Sequence, residues 1–256
     1  IELNIRIVAY GDGQYLLMAR DTSSLRRLEA VRRDFVANVS HELRTPLTVI
    51  TGYIESFDGE QVSDYVRDGV AAIDRQTRRM LSIVQDLLTL SRLEMEPPDP
   101  AAAELVPAAE LIAGLARDAE GVAGERGHRI LTDLDGDLGV RGVPGELASA
   151  FANLINNAVQ HTPDGTMITV EWKLESGAAM FAVHDEGPGI DSRHLARLAE
   201  RFYRVDTSRS RARGGTGLGL SVVKHAVARN GGELDIQSAP GQGSTFRCVF
   251  PAERVE

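Results

Sequence analysis

Four groups of residues in this sequence have types and spacings suited to chemistry. The first is His41, inside Phe35-Val36-Ala37-Asn38-Val39-Ser40-His41-Glu42-Leu43-Arg44-Thr45-Pro46-Leu47-Thr48. If an inward stripe runs through Phe35, Val39 and Leu43, His41 lies two residues from each of the last two, about 200° around a helix, and faces outward. A solvent-facing imidazole is largely neutral near pH 7 and can act as a nucleophile. Glu42 beside it is placed to accept the ring's other proton. Pro46 removes the N–H that would bond the Glu42 carbonyl, so a bend is expected just past the histidine. Taken alone, a surface histidine without function is the plainer reading of His41.

The second group is Asn153-Leu154-Ile155-Asn156-Asn157-Ala158, in which Asn153 and Asn157 share a helix face. Amide oxygens are hard ligands suited to Mg²⁺, which also binds substrate phosphates. The third is Asp185-Glu186-Gly187-Pro188-Gly189-Ile190 at the end of an apolar strand. A strand-end carboxylate can accept from an adenine amino group, and Gly187 and Gly189 let backbone approach a ring. The fourth is Gly214-Gly215-Thr216-Gly217-Leu218-Gly219-Leu220, which opens a helix and presents free N–H groups to phosphate. It lacks the Lys-Ser/Thr of a Walker A loop and the spacing of a dinucleotide fingerprint. Between the third and fourth groups lie Arg201-Phe202-Tyr203-Arg204 and an arginine-rich stretch from Asp206 to Arg213. That stretch reads as a lid whose cations could stabilise a transferring phosphoryl group.

The elements that must position these groups follow from periodicity. Residues 1–20 read as two strands, since Leu3, Ile5 and Ile7 alternate with polar residues and Tyr15-Leu16-Leu17-Met18 follows a Gly-Asp-Gly turn. Two strands do not make a stable domain, so they are expected to be the end of a truncated upstream sensory domain. Leu25, Leu28, Val31, Phe35, Val39, Leu43, Leu47, Ile50 and Ile54 recur at helical spacing. After Phe57-Asp58-Gly59, a heptad seam runs through Val66, Val70, Ile73, Thr77, Met80, Val84 and Leu87. These two stretches predict a long helical hairpin over 21–96, which would pair with a second copy as a dimeric four-helix bundle. Pro97-Pro98-Asp99-Pro100 marks a linker over 97–103. From 104 to 256 the pattern predicts an α/β sandwich. Its helices are expected near 107–121, 144–161 and 216–230, and its strands near 128–133, 138–142, 166–174, 178–185, 233–238 and 244–250.

Composition narrows the classes further. The 256 residues exceed what one core usually needs. A net charge of −9 argues against direct nucleic-acid binding, yet five arginines crowd 201–213. The single cysteine, Cys248, excludes a disulfide framework. No apolar run approaches the roughly 20 residues of a membrane helix. The chain starts at Ile1 rather than Met, so any membrane anchor is expected before Ile1, with this portion cytoplasmic.

The string around His41 resembles the phospho-acceptor box of sensor histidine kinases. The Asn, Asp-Gly, Phe and Gly-rich groups, in that order, resemble the N, G1, F and G2 boxes of the Bergerat ATP-binding fold. Within the family, the string from Asp21 through Tyr53 looks most like the phosphate-regulon branch. The resemblance implies ATP-dependent phosphorylation of His41 with Glu42 assisting, transfer to an aspartate of a response regulator, and a homodimer. It implies Mg²⁺ on Asn157 with Asn153 nearby, and the adenine amino group on Asp185 with Gly187 and Gly189 shaping the pocket. The triphosphate would lie on Gly215, Thr216, Gly217, Leu218 and Gly219, and Thr245 would support adenine through water. Thr45 matches the position associated with regulator dephosphorylation. One departure is Gln160, where many members carry a basic residue; Arg204 or the lid arginines would then matter more. Two other classes compete. A Bergerat ATP hydrolase would need a glutamate where Asn153 stands, and a kinase-derived scaffold is disfavoured because every box is intact by type.

Overall fold

A computed structural model of the chain describes residues 3–9, 15–21, 43, 45–53, 64–95, 100–205 and 215–255. His41, Glu42, the inter-helix turn and the arginine-rich stretch at 206–214 lie outside the described residues. The chain divides into two compact units, Ile1–Gln76 and Thr77–Glu256.

In the first unit, β1 (Leu3–Ala9) pairs antiparallel with β2 (Tyr15–Asp21), Leu3 opposite Asp21 and Ala9 opposite Tyr15. Residues 45–53 are helical (α1), with Thr45 exposed and Pro46 buried. The long α2 (Asp64–Met95) begins here and runs into the second unit, ending ahead of Pro97-Pro98. Its buried side chains include Ala72, Arg79, Ile83, Leu90 and Leu93. Two members of the expected seam, Val70 and Val84, are 54% and 41% exposed, together with Leu81 and Leu88. One chain therefore buries a stripe beside the heptad seam and leaves much of the seam's apolar surface uncovered.

The second unit is a five-stranded mixed sheet under helices. Its strands are β4 (Arg129–Leu134), β6 (Met167–Glu175), β7 (Ala178–Asp185), β8 (Glu233–Ser238) and β9 (Ser244–Phe250), in the order β4-β6-β7-β9-β8. The β4–β6 pair is parallel and the others antiparallel. A second small sheet pairs β3 (Glu104–Val106) with β5 (Val140–Gly142). The helices α3 (Ala108–Glu125) and α4 (Pro144–His161) pack on one face of the five-stranded sheet. A short α5 (Ser192–Leu195) and α6 (Gly219–Arg229) complete that layer.

Period two decides which face of the sheet is core. Ile168, Val170 and Trp172 of β6, Phe181 and Val183 of β7, and Phe246, Cys248 and Phe250 of β9 all turn toward the helices. Phe151 of α4 stacks on Phe181 with ring centroids 4.2 Å apart, and the buried Trp172 donates its indole N–H to the Leu138 carbonyl at 2.9 Å. Desolvating that N–H without a partner would cost about 1–3 kcal/mol, so the bond fixes the ring's orientation. The core also takes in Leu90 and Leu93, which seats the end of α2 against the α/β half.

Differences from the sequence reading have local causes. Thr216–Leu218 do not continue α6 backwards, because Gly217 takes φ +71°, outside the helical region. β3 and α5 were not expected; both are short, and β3 directly follows the proline-rich linker.

Candidate functional site

α4 carries the first set of candidate residues. Pro144 at its first turn and Glu146 nearby favour the start. Asn230 accepts from the Val143 N–H at 2.7 Å and donates to Glu146 at 2.9 Å, binding the helix start to the end of α6. At the other end, Arg126 donates to the carbonyls of Val159 and Thr162, capping the last turn. Held at both ends, α4 buries Leu147, Phe151, Leu154, Ile155 and Ala158 and turns Asn153, Asn157 and His161 another way.

Those three polar residues, spaced by four, face the glycine loop. A Cβ at Gly219 would stand 2.6 Å from Asn153 Oδ1 and 4.0 Å from Asn157 Oδ1. A Cβ at Gly215 would stand 2.9 Å from His161 Cε1 and 4.0 Å from an Arg204 nitrogen. Gly217 has positive φ, and its Cβ would meet Phe202 Cα at 2.9 Å. The glycines are thus required by close approach, and they bring α4, Arg204 and the start of α6 together. Asn153 donates its amide to the Ser149 carbonyl at 2.9 Å, which turns its oxygen outward to the loop. Two amide oxygens beside a helix N-terminus are a hard donor set of the kind that suits Mg²⁺. Among the described residues, no group of three or more His, Cys, Asp or Glu forms an alternative metal site.

Asp185 ends β7 nearly fully buried and accepts from the Gly187 N–H at 2.9 Å. Burial pushes its carboxyl above the ordinary range, and the Gly187 N–H, His184 and Ser244 oppose that shift. A Cβ at Gly187 would collide with the Asp185 carboxylate at 2.6 Å. Gly189, at φ +70°, lies so close to the Ala239 carbonyl that no side chain fits. The G1 loop is therefore shaped by contacts with β7 and with the β8–β9 turn.

Three sequence-derived assignments change. Thr245 lies on the outer face of the sheet, its hydroxyl 2.9 Å from His184 Nδ1. The hydroxyl beside Asp185 is that of Ser244, its register partner. The alternation that sends Phe246, Cys248 and Phe250 inward sends Ser244 inward too, and that parity was the available signal. Leu218 is wholly buried in the core, so its side chain anchors the loop instead of lining it. Thr216 is also buried, and it donates to Asp86 Oδ2 of α2 at 2.8 Å while accepting from the Leu218 N–H. His161 was missed, although the spacing 153, 157, 161 could have found it. Gln160, one position earlier, is exposed.

The segment leading to Val205 is pinned. The Phe202 N–H donates to the Gly217 carbonyl at 2.7 Å, with Phe202 held at φ +61°, a left-handed conformation costing about 1–2 kcal/mol. Tyr203 is fixed by His194 at 2.6 Å and by Arg197 over its ring. Arg201, expected in a phosphate-binding patch, instead pairs with Glu94.

Comparison with known proteins gives two family matches. Residues 31–96 match the His Kinase A (phospho-acceptor) domain, and residues 142–254 match the histidine kinase-, DNA gyrase B- and HSP90-like ATPase. The chain is 43% identical over its whole length to the phosphate regulon sensor protein PhoR of Pseudomonas aeruginosa, spanning 58% of that protein. It is 36% identical to the sensor-like histidine kinase SenX3 of Mycolicibacterium smegmatis, over 96% of this chain and 65% of that one. Among solved structures, the histidine kinase ThkA in complex with the response regulator protein TrrA matches 98% of this chain and 78% of its own, with a TM-score of 0.69 at 18% identity. The Acinetobacter baumannii histidine kinase AdeS matches 84% of this chain and 98% of its own, with a TM-score of 0.66 at 23% identity. Those two likenesses support the fold.

Proposed function

Because the chain belongs to the sensor histidine kinases, with their phospho-acceptor and ATPase domains, we propose that it phosphorylates its own His41 from Mg-ATP and passes the group to an aspartate of a response regulator. The observation that carries this reading is the row Asn153, Asn157, His161 facing the glycine loop, in the same unit as the buried Asp185. Asp185 accepts from the adenine amino group, with Ser244 beside it in place of Thr245. The N–H groups at the start of α6 receive phosphate oxygens. Asn157 and Asn153 would hold Mg²⁺, which when bound neutralises charge on the β- and γ-phosphates.

His41 attacks the γ-phosphorus in line. A P–N bond forms as the bond to the β,γ-bridging oxygen breaks and ADP leaves; Glu42 takes the ring proton. His161 and Arg204 flank Gly215 and supply phosphate donors where Gln160 does not. His161→Ala is expected to weaken ATP binding about tenfold while adenosine binding stays within about twofold, the loss of one donor to a charged group. Isothermal titration of both ligands decides it, and an equal loss for adenosine would show a merely structural role.

The exposed Val70, Leu81, Val84 and Leu88 face of α2 is the surface for pairing two chains. No helix among the described residues is long and apolar enough to cross a membrane. Sensing and membrane attachment are assigned to the portion of such proteins that this chain does not span, with a phosphate-regulon stimulus by its relatives. The test of the kinase reading is incubation with γ-labelled ATP and Mg²⁺. Acid-labile, alkali-stable label is expected, and ATP binding with no label would favour a scaffold. Thr45, exposed on α1, is assigned to orienting water for regulator dephosphorylation. Thr45→Ala should keep autophosphorylation and lose dephosphorylation of a phosphorylated receiver domain; unchanged dephosphorylation removes that role.

A further inference from the structure

Three strand ends of the second unit meet in one row. Asp185 closes β7, Ser244 opens β9 and Ser238 closes β8. The register sets Asp185 opposite Ser244, and Ser244 opposite Ser238. Asp185 and Ser244 are nearly fully buried, and Ser238 is half-buried. Ser238 lies outside every group assigned to nucleotide binding or phosphoryl transfer, yet its hydroxyl meets three partners. It accepts from the Ile190 N–H at 2.8 Å, donates to the Gly243 carbonyl at 2.8 Å and lies 3.0 Å from Ser244 Oγ.

The directions of these bonds follow from the protons available. A serine hydroxyl carries one proton and two lone pairs. The Gly243 carbonyl has no proton to offer, so the Ser238 proton lies on that bond. The Ile190 N–H fills one lone pair, and the other faces Ser244. On the far side of β9, the Asp185 carboxylate accepts from both the N–H and the hydroxyl of Ser244. The peptide joining Gly243 to Ser244 is therefore held at both ends, its carbonyl by Ser238 of β8 and its N–H by Asp185 of β7. A planar trans peptide points those two groups in opposite directions, as a central strand needs between two neighbours. Here two side chains stand in for the backbone partners that run out at the strand ends. Gly243 permits the close approach, since a Cβ there would collide with the Asp185 carbonyl oxygen.

We propose that Ser238 is a positioning residue for recognition of the adenine 6-amino group, acting through the Gly243–Ser244 peptide to hold the Asp185 carboxylate at the angle that receives the base. The proposal rests on the reading of Asp185 as the adenine acceptor. Without the Ser238 hydroxyl, the Gly243 carbonyl loses its donor and the peptide is free to tip. The Ser244 N–H is then drawn off the carboxylate, and a hydrogen bond that depends on acceptor direction weakens. Ring-face and triphosphate contacts do not pass through Asp185 and are spared. The 187–190 loop also keeps a second tie to the β8–β9 turn, because the Gly241 N–H donates to the Pro188 carbonyl at 2.8 Å. The effect is therefore confined to the 6-amino group, whereas mere support of the loop would act on every purine alike.

Two ligands titrated onto the whole chain with Mg²⁺ supply the test: ATP, and purine riboside triphosphate, which differs only in lacking the 6-amino group. The wild type should bind ATP at least about tenfold more tightly than the analogue. Ser238→Ala is expected to weaken ATP about tenfold and the analogue less than about twofold. Ser238→Thr keeps the hydroxyl and suits a strand, so it should restore the wild-type preference. Ser238→Cys, a weak donor of nearly the same size, should fall between the two and carries the comparison if the alanine variant does not fold. Equal weakening of both ligands, or no change in either, overturns the positioning role while leaving the nucleotide site standing. A wild type that binds ATP no more tightly than the analogue, or that binds neither, overturns the adenine reading of Asp185 and the proposal with it.

Discussion

Incubated with γ-labelled ATP and Mg²⁺, the His41→Gln chain is expected to take up less than about one hundredth of the label that the wild type takes. Glutamine keeps helix propensity and a polar, uncharged side chain, but its amide nitrogen is not a nucleophile. Binding of Mg-ATP should be unchanged, because the residues that match the ATPase family, 142–254, lie in the second unit. That pairing of results, lost transfer with retained binding, places the nucleophile at residue 41 and separates it from folding damage. Label of undiminished stoichiometry in the variant would move the acceptor to another side chain. A loss of both label and ATP affinity would show that residue 41 supports the structure instead. Acid lability and alkali stability of the wild-type label independently identify a phosphorus–nitrogen bond, since phosphoserine and phosphothreonine behave in the opposite way.

How far the sequence reaches depends on whether a residue's partner is local. α4 is legible at both ends because Pro144 favours its first turn and Thr162-Pro163 stops it, and its bounds agree with the expected 144–161. β7, β8 and β9 are legible because alternation and flanking glycines mark them. The motif points to Thr245, whereas the pleat assigns the inward hydroxyl to Ser244. Adjacency groups Leu218 with the loop, although an apolar residue between glycines is better read as the loop's anchor in the core. The contacts of Asp86 with Thr216 and of Glu94 with Arg201 join residues more than a hundred positions apart. Nothing in the spacing of either partner announces them. The arginine cluster shows the same limit, since Arg201 reads as a phosphate ligand until its carboxylate partner on α2 is seen.

Asp185→Asn is expected to weaken ATP binding by about 100-fold or more while leaving the fold at least as stable as the wild type at neutral pH. The Gly187 N–H donates to one carboxylate oxygen, so an asparagine satisfies it only with its own oxygen and then turns its NH₂ toward the base. Two amino groups would face each other, and an acceptor for a buried donor would be lost, costing about 3 kcal/mol. Stability moves the other way. Burial raises the folded-state pKa of Asp185, so the folded chain holds this proton more tightly than the unfolded chain. The stability linked to this group is greatest at low pH and is lost as pH rises through the raised folded value. Removing the charge lifts that penalty at pH 7, and the melting-temperature advantage of the variant should shrink as pH falls toward the ordinary carboxylate range. Wild-type affinity for ATP should fall over the same window as the acceptor becomes protonated, a dependence the variant lacks. Thermal melts and ATP titrations from pH 4.5 to 8 measure both trends. A variant that binds ATP as the wild type does would remove Asp185 from adenine recognition, and one that melts lower at pH 7 would show that its ionised form stabilises the fold.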